Sequence, residues 1–165
     1  MDTASVPAIT CLAVGNTIMG DDGIGQAILT ELQAVGPTSV YYHDGAIAGL
    51  ELLGEFEDAD KLLILDATAG PGAPGSVVHV AGADIPRVIP QNVSPHQVGV
   101  MDLLAASRLL GNEPEDLALV GVVAETVDLR VGLSGAAQSG IAAAVERARL
   151  QLEWWAAGNA GLPET

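Results

Sequence analysis

The sequence predicts an α/β fold: a largely parallel sheet with helices on both faces. Two observations carry this. Short apolar runs alternate with amphipathic stretches along the chain, as they do when each strand is followed by a covering helix. The first apolar run also breaks into a glycine-rich acidic loop that leads straight into a helix, the arrangement found at the carboxyl edge of such sheets.

The elements follow in order. Ala8 to Val14 is apolar and strand-like, and the loop Gly15-Asn16-Thr17-Ile18-Met19-Gly20-Asp21-Asp22-Gly23-Ile24-Gly25 ends it. A helix is expected from Gly23 to Val35, with Ile24, Ala27, Ile28 and Leu32 on one face. Ser39 to His43 reads as a second strand, Ala48 to Phe56 as a second helix and Leu62 to Asp66 as a third strand. Gly70-Pro71-Gly72-Ala73-Pro74-Gly75 is loop by composition. A fourth strand, Ser76 to Val80, follows too closely for a helical crossover, so it can run antiparallel to the rest. Gln97 to Leu110 is helical, Leu117 to Ala124 is the fifth strand, and Ser134 is the N-cap residue expected for a long helix to Trp155. That helix carries Ile141, Val145, Ala148, Leu152 and Trp155 on one stripe. One domain over 1–165 is expected, with residues 1–6 and 158–165 frayed.

Composition narrows the function classes. With 49% hydrophobic residues but only 3% aromatic ones, the core must be built from aliphatic side chains. The chain carries 21 acids against six bases, a formal net charge of -15. Such a surface repels phosphate backbones and anionic lipid, so neither nucleic acid nor membrane is expected as a partner. No run is long enough for a membrane helix, and Met1 to Pro7 lacks the basic start of a signal peptide. The single cysteine, Cys11, falls inside the first strand and reads as a buried, inert thiol. Without an internal disulfide, the cytoplasm is the expected compartment.

Three acids stand at predicted strand ends: Asp22 after the first, Asp44 closing the second and Asp66 closing the third. In a parallel sheet these ends share one edge. A carboxylate at the end of a buried strand needs a cation, a helix N-terminus or backbone donors. His96, in Ser94-Pro95-His96-Gln97 directly before a helix, adds an imidazole; His43 and His79 sit in strand runs and read as surface or satisfied residues. Asp22, Asp66 and His96 make a mixed oxygen and nitrogen set suited to Zn²⁺, Ni²⁺, Mn²⁺ or Fe²⁺. Only the fold can bring them together, since their separations match no local metal motif. The chain has no His-Glu-x-x-His, no Gly-x-Ser-x-Gly and no lysine after the glycine loop, which sets aside zincins, serine hydrolases of that type and P-loop enzymes. Asp21 and Asp22 also stand where a dinucleotide pyrophosphate would approach the helix.

The loop from Gly15 to Gly25 resembles the signature loop of the hydrogenase maturation proteases. Asp44-Gly45, Leu65-Asp66-Ala67, Ser94-Pro95-His96-Gln97 and Leu119-Val120-Gly121-Val122 follow it in the same order, so the resemblance spans roughly Thr10 to Trp155. It implies a three-layer α/β/α sandwich around a twisted, mostly parallel five-stranded sheet with one antiparallel strand. It also implies an endopeptidase that removes a C-terminal extension from the large-subunit precursor of a [NiFe] hydrogenase. The family's nickel-site residues map onto Asp22, Asp66 and His96, with nickel presented by the precursor rather than held permanently. Asp22, Asp44 and Asp66 remain alternatives for the group that takes water's proton. This chain has Asp at position 22 where many members have Glu, Gly45-Ala46 where members often have Gly-Gly, and Ala124-Glu125 where some show Pro-Glu. Two other readings are a non-catalytic nickel carrier in the same pathway and a divalent-metal phosphohydrolase using Asp22 and Asp66 as hard ligands.

Overall fold

A computed structural model describes residues 5–46, 49–89 and 99–164 of the chain. Five strands form one sheet: β1 (Ile9–Ala13), β2 (Tyr41–Asp44), β3 (Lys61–Thr68), β4 (Val77–Ala81) and β5 (Asp116–Val123). Their spatial order is β2-β1-β3-β5-β4. All pairs are parallel except β4 with β5, which is antiparallel, as the short connection after the third strand allowed.

Helices cover both faces. α1 (Ile24–Val35) and α5 (Gly135–Ala156) pack on one side, where Ile24, Ile28, Leu32, Val145, Leu152 and Trp155 meet Cys11, Leu63, Leu65 and Val120. On the other side lie α2 (Leu53–Asp58), α3 (Ile85–Val88) and α4 (Val100–Leu110). There Phe56, Ile85, Leu103 and Leu104 meet Leu12, Leu62, Ile64 and Leu119. The two separate apolar layers explain why β1 and β3 are buried along their whole length and read as continuous apolar runs. The result is the three-layer α/β/α sandwich. Ser134 caps α5, its hydroxyl accepting from Ala137 N at 3.1 Å.

Three details differ from the expectation. β3 does not stop at Asp66 but runs to Thr68, because Asp66, Ala67 and Thr68 stay in register with Gly121, Val122 and Val123 of β5. The short helix α3 had no sequence signal beyond a proline near its start. The stretch after α5, expected to fray, folds back: Gln151 Nε2 and Trp155 Nε1 donate to Gly161 O at 2.9 and 3.0 Å, and Gly161 N donates to Asp116 Oδ1 at 3.0 Å. Two of those bonds tie residues near 160 back to α5, and the third ties them to the start of β5.

Candidate active site

The site is built where β1, β2 and β3 end on one edge. After β1 the chain makes a single 3-10 turn, Gly20–Gly23, and enters α1. Two glycines allow this. Gly15 has φ +138°, and a Cβ there would stand 2.0 Å from the carbonyl oxygen of Asp22. At Gly25 a Cβ would stand 2.5 Å from Leu65 O and 2.9 Å from Val14 O, so only glycine lets α1 start flush against β1 and β3. Val14 N donates to Leu65 O at 3.0 Å and locks the loop to β3.

This packing sets Asp22 beside Asp66. Asp22 is half-buried, and its Oδ2 accepts from Asn16 N at 2.8 Å. Burial raises its pKa above the ordinary carboxylate value, only partly offset by that N–H. Asp66 is 8% exposed. Its one hydrogen bond among the described residues is from the Ala67 N–H to Oδ1 at 2.8 Å. Burial pushes it well above the usual range, and the negative charge of Asp22 pushes it further, against the small pull of that N–H. The two acids therefore lie within reach of one another's field. Charging both acids at once is costly unless a partner offsets the charge.

Asp44 also arrives at this edge, at the end of β2, and is exposed. Its Oδ1 accepts from Ala46 N at 2.9 Å and from Gln26 Nε2 at 3.4 Å. Gln26 belongs to α1 and also donates to Gly15 O at 2.9 Å, so it links Asp44 to the signature loop. Its Oε1 is buried without a partner among the described residues. Sequence reasoning passed over Gln26, although a glutamine at a buried position of an amphipathic helix was a signal. Ala46 takes φ 44°, a left-handed conformation that glycine adopts more readily than alanine.

His96 lies outside the described residues. Among those described, no group of three His, Cys, Asp or Glu side chains is placed to hold a metal. Asp22 and Asp66 offer two carboxylate groups at this edge. His43 and His79 are engaged by other side chains: His43 Nε2 lies 3.8 Å from Glu55 Oε1, and His79 Nε2 lies 2.7 Å from Gln151 Oε1. Cys11 is fully buried in β1, and burial pushes its thiol pKa up, so it is no nucleophile.

Asp21 behaves unlike its neighbour. It is fully buried, and both of its oxygens accept hydrogen bonds from the segment between β5 and α5. Burial alone would raise its pKa, but the Ser134 N–H and hydroxyl and the Glu125 and Thr126 N–H groups outweigh it and hold the value low. It is a satisfied carboxylate with no free face for a metal.

Residues 27–151 match the HycI family of hydrogenase maturation proteases. The chain belongs to the hydrogenase maturation protease family. It is 36% identical over 142 residues to the hydrogenase 2 maturation protease of Escherichia coli (strain K12), covering 84% of this chain and 87% of that protein. The hydrogenase expression/formation protein HupD of Thiocapsa roseopersicina is 33% identical over 72% of this chain and 55% of its own length. Among solved structures, the E. coli hydrogenase maturating endopeptidase HybD superposes with a TM-score of 0.78 at 33% identity, over 95% of this chain and 98% of that one. The [NiFe] hydrogenase maturation protease HybD of Thermococcus kodakarensis gives 0.64 at 26% identity, over 86% and 96%. Membership in this family makes the chain an endopeptidase, a hydrolase of peptide bonds. No helix among the described residues is long and apolar enough to cross a membrane.

Proposed function

We propose that this maturation protease removes a C-terminal extension from the large-subunit precursor of a [NiFe] hydrogenase, reading the nickel that the precursor presents. The observation that carries the proposal is the Asp22 and Asp66 pair, a half-buried and a buried acid at one sheet edge with one backbone donor each, the charge of Asp22 raising the pKa of Asp66. A pair so placed is stabilised by a cation that arrives with the substrate. His96 would complete the set. It precedes by four residues Val100, whose side chain is buried in the same layer as Leu62 and Ile64, the β3 residues on Asp66's face. Two carboxylates and one imidazole leave coordination positions open for ligands of the precursor.

The chemistry is peptide hydrolysis. Water's oxygen attacks the scissile carbonyl carbon, the C–N bond breaks, and the leaving amine takes up a proton. A carboxylate must hold the proton that the attacking water gives up. Asp66, with its raised pKa, is the favoured holder; Asp44 and Asp22 are the alternatives. Exposed Asp44, fixed by Ala46 N and Gln26, lies on the open side of the edge, where a peptide tail enters.

The test is direct. Purified protein is incubated with nickel-loaded and with nickel-free precursor, and the products are weighed by mass spectrometry. Loss of one defined C-terminal peptide from the nickel-loaded form alone is expected. In the same assay, His96→Ala should fold and fail to cleave; a wild-type rate would remove His96 from the site. Cleavage of both precursor forms at equal rates would contradict the role of nickel.

A further inference from the structure

The turn that carries Asp22 has little of its own to hold it. It is one 3-10 turn, with Met19 N donating to Asn16 O and Asp22 N donating to Met19 O. The start of α1 has no side-chain cap. Besides two further local bonds, Asn16 N to Asp22 Oδ2 and Ile18 N to Asn16 Oδ1, the bonds that fix the turn come from more than a hundred residues away. Asp21 Oδ1 accepts from Ser134 N at 2.7 Å, and Oδ2 accepts from Ser134 Oγ at 2.7 Å, Glu125 N at 2.8 Å and Thr126 N at 3.3 Å. The backbone adds Asp21 N to Thr126 O at 2.9 Å, Gly20 N to Arg130 O at 2.8 Å and Arg130 N to Ile18 O at 2.9 Å. Because the Ser134 hydroxyl also caps α5, one carboxylate ties together the signature turn, the segment after β5 and the start of the longest helix.

We propose that Asp21 is a positioning residue for cleavage: it holds the signature turn so that the adjacent Asp22 is presented to substrate beside Asp66. This rests on the reading of Asp22 as the group that meets the precursor's metal. Asp21 cannot share that task, since four donors already occupy its two oxygens. Its removal acts instead through geometry. With the carboxylate gone, the turn keeps its backbone bonds to Thr126 and Arg130 but loses the charge-assisted ones, and Asp22 shifts on its one-turn support. Displacements of about 1 Å at a reacting centre cost up to about 100-fold in rate. The precursor, gripped over a wider surface, should still bind.

The experiment measures steady-state cleavage of nickel-loaded precursor by Asp21→Asn, Ser134→Ala, Ser134→Thr and Asp22→Asn, each normalised to the folded fraction from circular dichroism. Asp21→Asn should lower kcat by about 10- to 100-fold with KM changed less than about threefold. Ser134→Ala, which keeps three of the four donors, should lower kcat by a smaller factor, and Ser134→Thr, which keeps the hydroxyl, should restore it. A purely structural role predicts wild-type kcat per folded molecule, and that result in Asp21→Asn overturns the proposal. Should Asp21→Asn not fold, wild-type kcat in folded Ser134→Ala overturns it in the same way. Wild-type kcat in Asp22→Asn would instead bring down the functional reading beneath it, while a slow Asp22→Asn beside an unimpaired Asp21→Asn would bring down this inference alone.

Discussion

Asp21 and Asp22 are the same side chain one residue apart, and the fold treats them in opposite ways. Asp21 is fully buried yet satisfied, with the β5–α5 segment turning N–H groups and a hydroxyl onto it. Asp22 faces the edge it shares with Asp66, where each acid has a single N–H donor and the charge of Asp22 raises the cost of charging Asp66. One side of the turn is a fastening and the other is a poised charge. The lesson is that burial of a carboxylate says nothing about function until its donors are counted.

The largest effect expected separates the two sides through Asp66. Asp66→Asn should reduce cleavage by about 1,000-fold or more, the scale of losing a central electrostatic group. The same variant, free of metal at neutral pH, should be more stable than wild type by about 1 kcal/mol, because an uncompensated buried charge is replaced by a neutral amide. Cleavage assays and thermal melts in chelator check the two halves. A lower melting temperature would mean that Asp66 is a fastening too.

Asp21→Asn should move stability the other way, by about 2 kcal/mol downward, since an amide turns donors toward buried donors. Urea titration reads this. The pH dependence sharpens it. A lowered folded-state pKa, as at Asp21, contributes stability that is fully present above the ordinary carboxylate value and is lost as pH falls from there through the lower folded value. A raised one, as at Asp66, costs stability above its folded value, and the cost is relieved as pH falls toward the ordinary value of about 4. Acidification should therefore destabilise Asp66→Asn more steeply than wild type, and Asp21→Asn less steeply.

Much of this fold was legible in the sequence. β1, β3 and β5 lie between two helical layers, so their apolar runs were unbroken, and the short link before β4 left room for its antiparallel course. Asp66 was read as a strand end because a carboxylate interrupts four aliphatic residues. The ladder with β5 continues past it, and strand pairing leaves no local mark. The folded-back residues near 160 were hidden for the same reason, since their anchors are two side chains of α5 and an acid of β5. In the site, the acids at strand ends were visible, but the division between Asp21 and Asp22 was only half so. Asp22 was singled out, while the donors that engage Asp21 lie at Glu125, Thr126 and Ser134. No pattern within the loop points to them.

Two smaller effects bound the comparison. Cys11→Ala should leave cleavage by the folded protein unchanged and cost about 1 kcal/mol from the small cavity it opens, as read by assay and urea titration. Complete loss of cleavage would revive a thiol nucleophile. Ala46→Gly should stabilise by about 0.5 kcal/mol, the relief of a left-handed alanine net of glycine's larger chain entropy, with activity unchanged.

The most direct test of the two-sided turn is the titration of the individual carboxyl groups in the metal-free protein, followed by the side-chain carboxyl ¹³C shifts of the aspartates. Asp66 should titrate well above the ordinary range, Asp22 above it and Asp21 below it. Asp66 titrating at or below the ordinary value, or Asp21 above it, would contradict the division between fastening and poised charge on which the account rests.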